Sequence, residues 1–332
     1  MRMKDFNPLE DRWWRAGAWL NWWDSTVDGY GDVPWVPSRR DALDTFARDK
    51  GRILHALGLV WSYRTVETGQ LHALADELPA EAWRAPYPAM FRLGLADLGF
   101  PVQVSGVPRV GVRSAPFTAL RLPVYTTDLR RALARLGCNP VEIASIGGDN
   151  RLRGRRQFDR HNLISTALAV AARRRGWLTC GEAWGSFAML TGDPTRGAGG
   201  PDLQLVGSDM RVCVETTASG HQSLQGKIER WDRILALDSC RDVHVLWLDC
   251  ARDSLMAQVE GLIAGHARMH AARASDFLDT FACSDGWEPT AGTPVEPVPW
   301  MRVTMRDIGS RLGLDAAGSY RLPPALRGMW LG

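Results

Sequence analysis

Asp202, Glu215 and Lys227, with Glu182 upstream, are the residues of this chain whose types and spacing could do chemistry together. Residues 207–210 (Gly-Ser-Asp-Met) read as a four-residue turn between two apolar strands, 201–206 and 211–217. If that turn joins them, Val206 pairs with Arg211, and the same register carries Asp202 opposite Glu215. Directly opposed residues of an antiparallel pair share a face, with β-carbons about 4.5–5.5 Å apart. Thr217 follows on that face. Two carboxylates side by side repel and are tolerated when a cation sits between them. Oxygen ligands suit Mg²⁺ or Mn²⁺, and such an ion can activate water and stabilise charge on a phosphodiester. The alternative is a solvated hairpin face with two unpaired acids near its open end.

Lysine usage points the same way. The chain has three Lys (Lys4, Lys50, Lys227) against 37 Arg, so a lysine retained at 227 suits chemistry that Arg cannot do. An ammonium is a compact charge with an adjustable pKa, whereas guanidinium is planar and always protonated. Asp202 and Glu215 are therefore expected as metal ligands, and Lys227 as the group that orients water or steadies a phosphate. Glu182 is expected as an extra ligand or a supporting acid, against a loop-exposed or capping role. His161 either caps its helix or touches the site. His221 or Gln222 would open the helix after Glu215, where a phosphate could meet its positive end. His266 and His270 have the i, i+4 spacing of a zinc pair on a helix, but no third ligand is in view.

These residues need a scaffold, and the sequence spells one out. A helix over 161–175 has Leu163, Ile164, Ala167, Leu168 and Ala171 on one face. A short strand at 177–180 follows, then a Gly-rich loop and the 201–217 hairpin. A helix over 222–237 and a buried strand at 243–248 complete the order α-β-β-β-α-β.

With Pro201-Asp202, Glu215 and a following helix, this order resembles the core of the PD-(D/E)XK, or restriction-endonuclease-like, nuclease superfamily. The resemblance covers about 161–250. It implies a metal-dependent deoxyribonuclease. The superfamily's lysine usually lies two residues after the Glu; here that position is Thr217, and Lys227 is the substitute the resemblance implies. Nearly the whole chain is also similar to actinobacterial replication-relaxation proteins of plasmids and other mobile elements. That likeness rests on a winged-helix region, a linker, His161 opening a helix, an acid near 182, Pro-Asp, the Glu215 strand end, and Lys227 followed by Trp231. Many members have Asp where this chain has Thr217.

The first half reads differently. Six of the fifteen Trp fall within the first 35 residues (Trp13, Trp14, Trp19, Trp22, Trp23, Trp35), with a helix expected over 9–23. That Trp-rich stretch is either a cap on the next domain or a surface for a protein or DNA partner. Residues 51–125 read as a winged helix-turn-helix, with helices at 51–62, from about 68, and from Pro88 to about Gly99. Alternating Val and Leu over 102–124 would form the wing. A short helix is expected at 128–137. Arg84 and Arg92, near the third helix, are candidate DNA contacts.

The net charge of +3 is unevenly spread: residues 101–200 hold 15 Arg and 6 acids, and 201–300 hold 8 basic residues and 15 acids. Arg151, Arg153, Arg155 and Arg156 are the densest basic run. Such clustering is the footprint of a phosphate-backbone contact, or else a solvated linker. The six Cys are scattered without a CxxC pair and read as reduced buried thiols. No apolar stretch is long enough for a membrane span, and the N-terminus lacks a signal-peptide pattern.

The expected architecture is thus α/β (α+β). It comprises a Trp-rich segment at 1–50, a winged helix-turn-helix at 51–138 and a basic linker at 139–160. A nuclease-like domain follows at 161–288, with a C-terminal extension at 289–332. The expected protein is a cytoplasmic Mg²⁺- or Mn²⁺-dependent DNA endonuclease of a mobile element, or a DNA-binding replication or transfer factor on an inactive nuclease fold. DNA is the expected partner, without a membrane. Cores of this type often pair to cut both strands, which makes a homodimer an expected assembly.

Overall fold

The structure is a computed structural model that describes residues 20–26, 34–101, 118–123, 126–146, 159–173, 177–197, 199–207, 210–217, 224–249 and 253–273. Part of the 9–23 segment, most of the 102–124 wing, the Arg151–Arg156 run, His221, Gln222 and the C-terminal extension lie outside the described residues. The described residues are mixed α/β with two sheets, and the chain divides into two compact units whose main boundary falls between Asp159 and Arg160.

The first unit is built on helix α1 (Arg39–Tyr63). Ser38 caps it, its side chain accepting from the Asp41 amide at 3.1 Å. The helix starts twelve residues before the expected 51 because its first half has only Ala42 and Phe46 buried. From Ile53 onward nearly every residue is buried, and that half carries the sequence signal.

Strand β2 (Thr65–Glu67) runs directly into α2 (Thr68–Leu74). Here Glu67 and Gln70 form a reciprocal capping box, which explains why the helix begins where the Thr-Val-Glu-Thr pattern places it. Helix α3 (Tyr87–Arg92) has Pro88 in its first turn and ends well before Gly99, because Asp97–Pro101 is strand β3. With β1 (Leu20–Trp23) and β4 (Ala119–Arg121), these strands form an antiparallel sheet ordered β1-β3-β4-β2.

Strand β1 corrects the end of the helix expected over 9–23: Leu20–Trp23 pairs with Leu98–Pro101, and sheet pairing overrides a helical pattern there. Trp22 lies against Gly99, where a Cβ would come within 2.9 Å of its ring. Trp23 and Trp35 pack with Phe91 and Phe100 at 5.7–6.5 Å between ring centroids. Trp23 is thus part of the unit's core, and Trp22 and Trp35 pack half-buried.

Helices α4 (Thr126–Arg135) and α5 (Pro140–Ile146) complete this unit. The second corrects the linker expected from 139. Asn139 caps α5, accepting from the Val141 and Glu142 amides, while Glu142 accepts from the Asn139 amide at 2.8 Å. Asn-Pro is a cap followed by proline at the first helical position, a start signal that the surrounding Gly and Arg obscure.

The second unit has helix α6 (Asp159–Arg173), then β5 (Leu178–Gly181), β6 (Leu203–Val206) and β7 (Arg211–Thr217). A short helix α7 (Phe187–Thr191) lies between β5 and β6. Helix α8 (Leu224–Leu235), β8 (Val243–Asp249), α9 (Asp253–Ile263) and β9 (Met269–Arg273) follow. The sheet order is β5-β6-β7-β8-β9, with β5 to β7 antiparallel and β7 to β9 parallel.

Strand alternation gives the sheet two faces. Cys213, Val245, Trp247 and Met269 share one core with Phe187 of α7, Ile228, Trp231 and Ile234 of α8, and Val259 and Ile263 of α9. On the other face the Ser165 hydroxyl of α6 meets the Thr216 hydroxyl at 2.9 Å. Strand β9 corrects the helix expected to hold His266 and His270. His266 sits in the turn after α9, 2.8 Å from Asp232, while His270 stacks on His244 across the β8–β9 pair. Among the described residues no helix is long and apolar enough to cross a membrane.

Candidate active site

The β6–β7 hairpin sets the register from which the site follows. Val206 pairs with Arg211 and Leu203 with Val214. The ladder ends there, because the Asp202 amide donates to the carbonyl of Val214, the partner of Leu203, at 2.9 Å. This corrects the expected register: Asp202 is not paired opposite Glu215. It stands just outside β6 rather than within it, and this frees its side chain to turn toward the strand end.

One oxygen of Asp202, Oδ2, accepts from the Thr216 amide at 2.7 Å and from His161 Nε2 at 2.8 Å. His161 lies on the third residue of α6 and is spent on Asp202, a contact spanning 41 residues of sequence. Of the two roles open to it from sequence, the geometry gives the contact with the site. Glu215 is buried at the middle of this end of the sheet. Its Oε1 accepts from the Trp231 indole at 2.7 Å and its Oε2 from Lys227 Nζ at 3.1 Å. Lys227 and Trp231 are one helical turn apart, so one face of α8 presents both donors to a single carboxylate.

The charges balance locally. Burial and the neighbouring Asp202 push the Glu215 carboxyl up, against Lys227 and the Trp231 hydrogen bond. Burial also works against charge on Asp202, but His161, Lys227 and the Thr216 amide outweigh it and hold its carboxyl below the ordinary value. Lys227 loses to burial and gains more from Glu215, Asp202 and Glu182, which leaves its ammonium above its usual pKa. His161 behaves likewise: burial disfavours its charge, and Asp202 and Glu182 more than restore it.

Glu182 opens a short 3₁₀ turn, Glu182–Trp184, immediately after β5. Its negative charge adds to those that raise the pKa of His161 and of Lys227. The Thr217 hydroxyl donates to the Leu248 carbonyl of β8 at 3.1 Å.

Glycines set the loop that delivers Asp202. A Cβ at Gly200 would lie 1.9 Å from the Gly185 carbonyl oxygen, so the segment before Asp202 is pressed against the turn after Glu182. Gly200→Ala is expected to destabilise the second unit by about 1–3 kcal/mol through overpacking. Equilibrium urea unfolding measures it, and an unchanged midpoint would show that the loop is free to move aside.

Asp202 and Glu215 are the two carboxylates here that could hold a metal ion. Among the described residues no cluster of three or more His, Cys, Asp or Glu side chains is arranged to hold a metal ion. Mg²⁺ is commonly held by one or two carboxylates with waters completing its shell. Asp202 Oδ1 is the oxygen left over from the hydrogen bonds above, and each Glu215 oxygen has room for a second partner.

Of the expected DNA contacts, Arg84 and Arg92 belong to the first unit. Arg84 is exposed in the first unit, 3.4 Å from Glu81 and stacked over Trp83 at 5.1 Å. Arg92 is partly buried, with its Nε shielded from solvent. Arg151, Arg153, Arg155 and Arg156 are outside the described residues. One contributor escaped the sequence reading, the Thr216 amide, which no pattern announces; Trp231 entered it only through the resemblance, without the role its i, i+4 spacing from Lys227 gives it. Compared with protein-family models, the curated proteins and the solved structures, the chain matches none.

Proposed function

We propose that the second unit is a Mg²⁺- or Mn²⁺-dependent endonuclease core that hydrolyses phosphodiester bonds in DNA, serving replication, transfer or defence of a mobile element. The observation that carries this reading is the 3.1 Å contact between Lys227 and Glu215. It brings a lysine from α8 to the catalytic end of β7, where Thr217 occupies the strand position usual for lysine in PD-(D/E)XK nucleases. The order α6-β5-α7-β6-β7-α8-β8 supports it, since apart from the short helix α7 it is the αβββαβ order of such cores.

In this reading Asp202 and Glu215 hold the metal ion, which when bound polarises the phosphate and lowers the pKa of an attacking water. Lys227 orients that water or steadies the charge that builds on the phosphate. Glu182 supports the cationic side of the cluster. The first unit is proposed as a winged-helix DNA-binding module, on the order α1-β2-α2-α3-β3-β4. Arg84 fits a phosphate contact there, whereas the partial burial of Arg92 counts against base reading by that side chain.

One observation favours a second reading, a DNA-binding scaffold without activity. Both Glu215 oxygens are already hydrogen-bonded, and Thr217 contributes neither a carboxylate nor an ammonium to the site. The test is incubation of the full chain with supercoiled plasmid in Mg²⁺ or Mn²⁺, beside a salt titration of DNA binding. Nicking or linearisation that stops on chelation supports the nuclease. Salt-sensitive binding without any cleavage supports the scaffold, because phosphate contacts release counterions.

A further inference from the structure

If Asp202 is a metal ligand, as proposed above, its carboxylate must be held in one rotamer before the ion arrives. Two donors converge on the same oxygen from opposite origins: the Thr216 amide from the neighbouring strand and the His161 ring from α6. We propose that His161 is the positioning residue for Asp202: with the Thr216 amide it fixes Oδ2, so that Oδ1 is the oxygen left to meet a divalent cation.

Three features support the assignment. First, the amide alone leaves the carboxylate free to swing about a single hydrogen bond, whereas two donors on one oxygen define its plane. Second, the His161 and Asp202 side chains are only 13% and 14% exposed, so water does not readily replace either partner. Third, α6 packs on the sheet face opposite α8 and is tied to the same strand residue through the Ser165–Thr216 hydroxyl contact. The Asp202 carboxylate is therefore held by α6 and the Glu215 carboxylate by α8, one carboxylate from each side of the sheet. Partners of this kind orient ligands, and their loss typically weakens metal affinity or activity by about 10–100-fold.

The test uses two amides of different reach. A glutamine at 161 can bring an N–H to the place of Nε2, while an asparagine is too short to reach Asp202. Binding of Mn²⁺ alone to the full chain is measured by titration calorimetry for wild type, His161→Gln, His161→Asn and Asp202→Asn. The expected result is affinity weakened about 10–100-fold in His161→Asn and near wild type in His161→Gln. If the protein cleaves DNA, the His161→Asn defect is also expected to be recovered by raising Mn²⁺, with the rate at saturation retained. Wild-type Mn²⁺ affinity in His161→Asn, with a loss in Asp202→Asn, overturns the positioning role alone. Equal losses in the Gln and Asn variants also overturn it, since reach would not matter. Unchanged binding in Asp202→Asn overturns the metal site itself.

Discussion

The Asp202→Asn/Glu215→Gln protein is expected to fold as wild type and to leave supercoiled plasmid intact in Mg²⁺ or Mn²⁺. Amides rather than alanines are the informative choice. Asp202 satisfies the Thr216 amide and Glu215 satisfies the Trp231 indole, and both donors are shielded from water. Alanine would strand them at a cost of about 1–3 kcal/mol each, confusing lost chemistry with lost structure. An amide keeps an acceptor oxygen for the Thr216 amide and for the Trp231 indole, while Lys227 loses its anionic partner. Both negative charges are removed, so the proposed cation would lose its ligands.

Lys227→Met probes the other half of the site. In the proposed role of Lys227, removing its ammonium is expected to lower the cleavage rate about 10²–10³-fold. Lys227→Arg is not expected to restore it, because a planar guanidinium cannot take the place of a compact ammonium. Cleavage by the double amide variant at the wild-type rate, measured on the same plasmid, would remove this site from the reaction altogether.

The sequence made the hairpin legible because two constraints agreed there. A polar turn at 207–210 and apolar alternation on both sides allow one register, and Val206 does pair with Arg211. Helix α8 was legible for a similar reason, with Ile228, Trp231, Ile234 and Leu235 buried along one stripe. Strand β9 was not: Met-His-Ala-Ala-Arg has no β-branched residue, and its partner β8 lies across α9 in a parallel crossover. Strand β1 failed in the same way, since the pairing of Leu20–Trp23 is set by Leu98–Pro101, far along the chain.

The candidate site divides along the same line. The carboxylates and the lysine came from spacing within a hairpin and its following helix, which are local facts. The bond between His161 and Asp202 depends on how α6 lies against the sheet, and no periodicity encodes that placement. Thr217 shows the converse: a position singled out by resemblance turns out to be spent on the Leu248 carbonyl, an internal structural bond.

At the far end of β7 from the candidate site, Asp242→Ala is expected to lower the stability of the second unit by about 2 kcal/mol without affecting the chemistry. The Arg211 side chain is only 6% exposed and donates to both Asp242 oxygens, at 2.6 and 2.5 Å. It also donates to the Leu190 and Ser239 carbonyls, so one guanidinium ties the end of α7, the 238–240 turn and the start of β8 to β7. Breaking a fully buried pair costs about 3–5 kcal/mol. The Asp242 side chain is 41% exposed, so solvent already screens part of that attraction, and the two carbonyls continue to hold the guanidinium.

A loss of about 2 kcal/mol corresponds to a drop in Tm of about 4–8 °C for a unit of this size. The sign of the pH dependence follows from Asp242. Burial opposes its charge, but Arg211 wins and holds its carboxyl below the ordinary value. Its contribution is therefore fully present above the unfolded aspartate pKa of about 3.9 and is lost as pH falls through the lower folded value. The Tm difference between wild type and Asp242→Ala should accordingly be full at pH 7 and shrink in strong acid. Glu215 lies four residues along β7, about 13 Å away. Cleavage per folded molecule is then expected to be unchanged. A Tm difference absent at pH 7 would mean that the Leu190 and Ser239 carbonyls alone satisfy Arg211. A difference that persists undiminished in strong acid would mean that the ion pair is not its source.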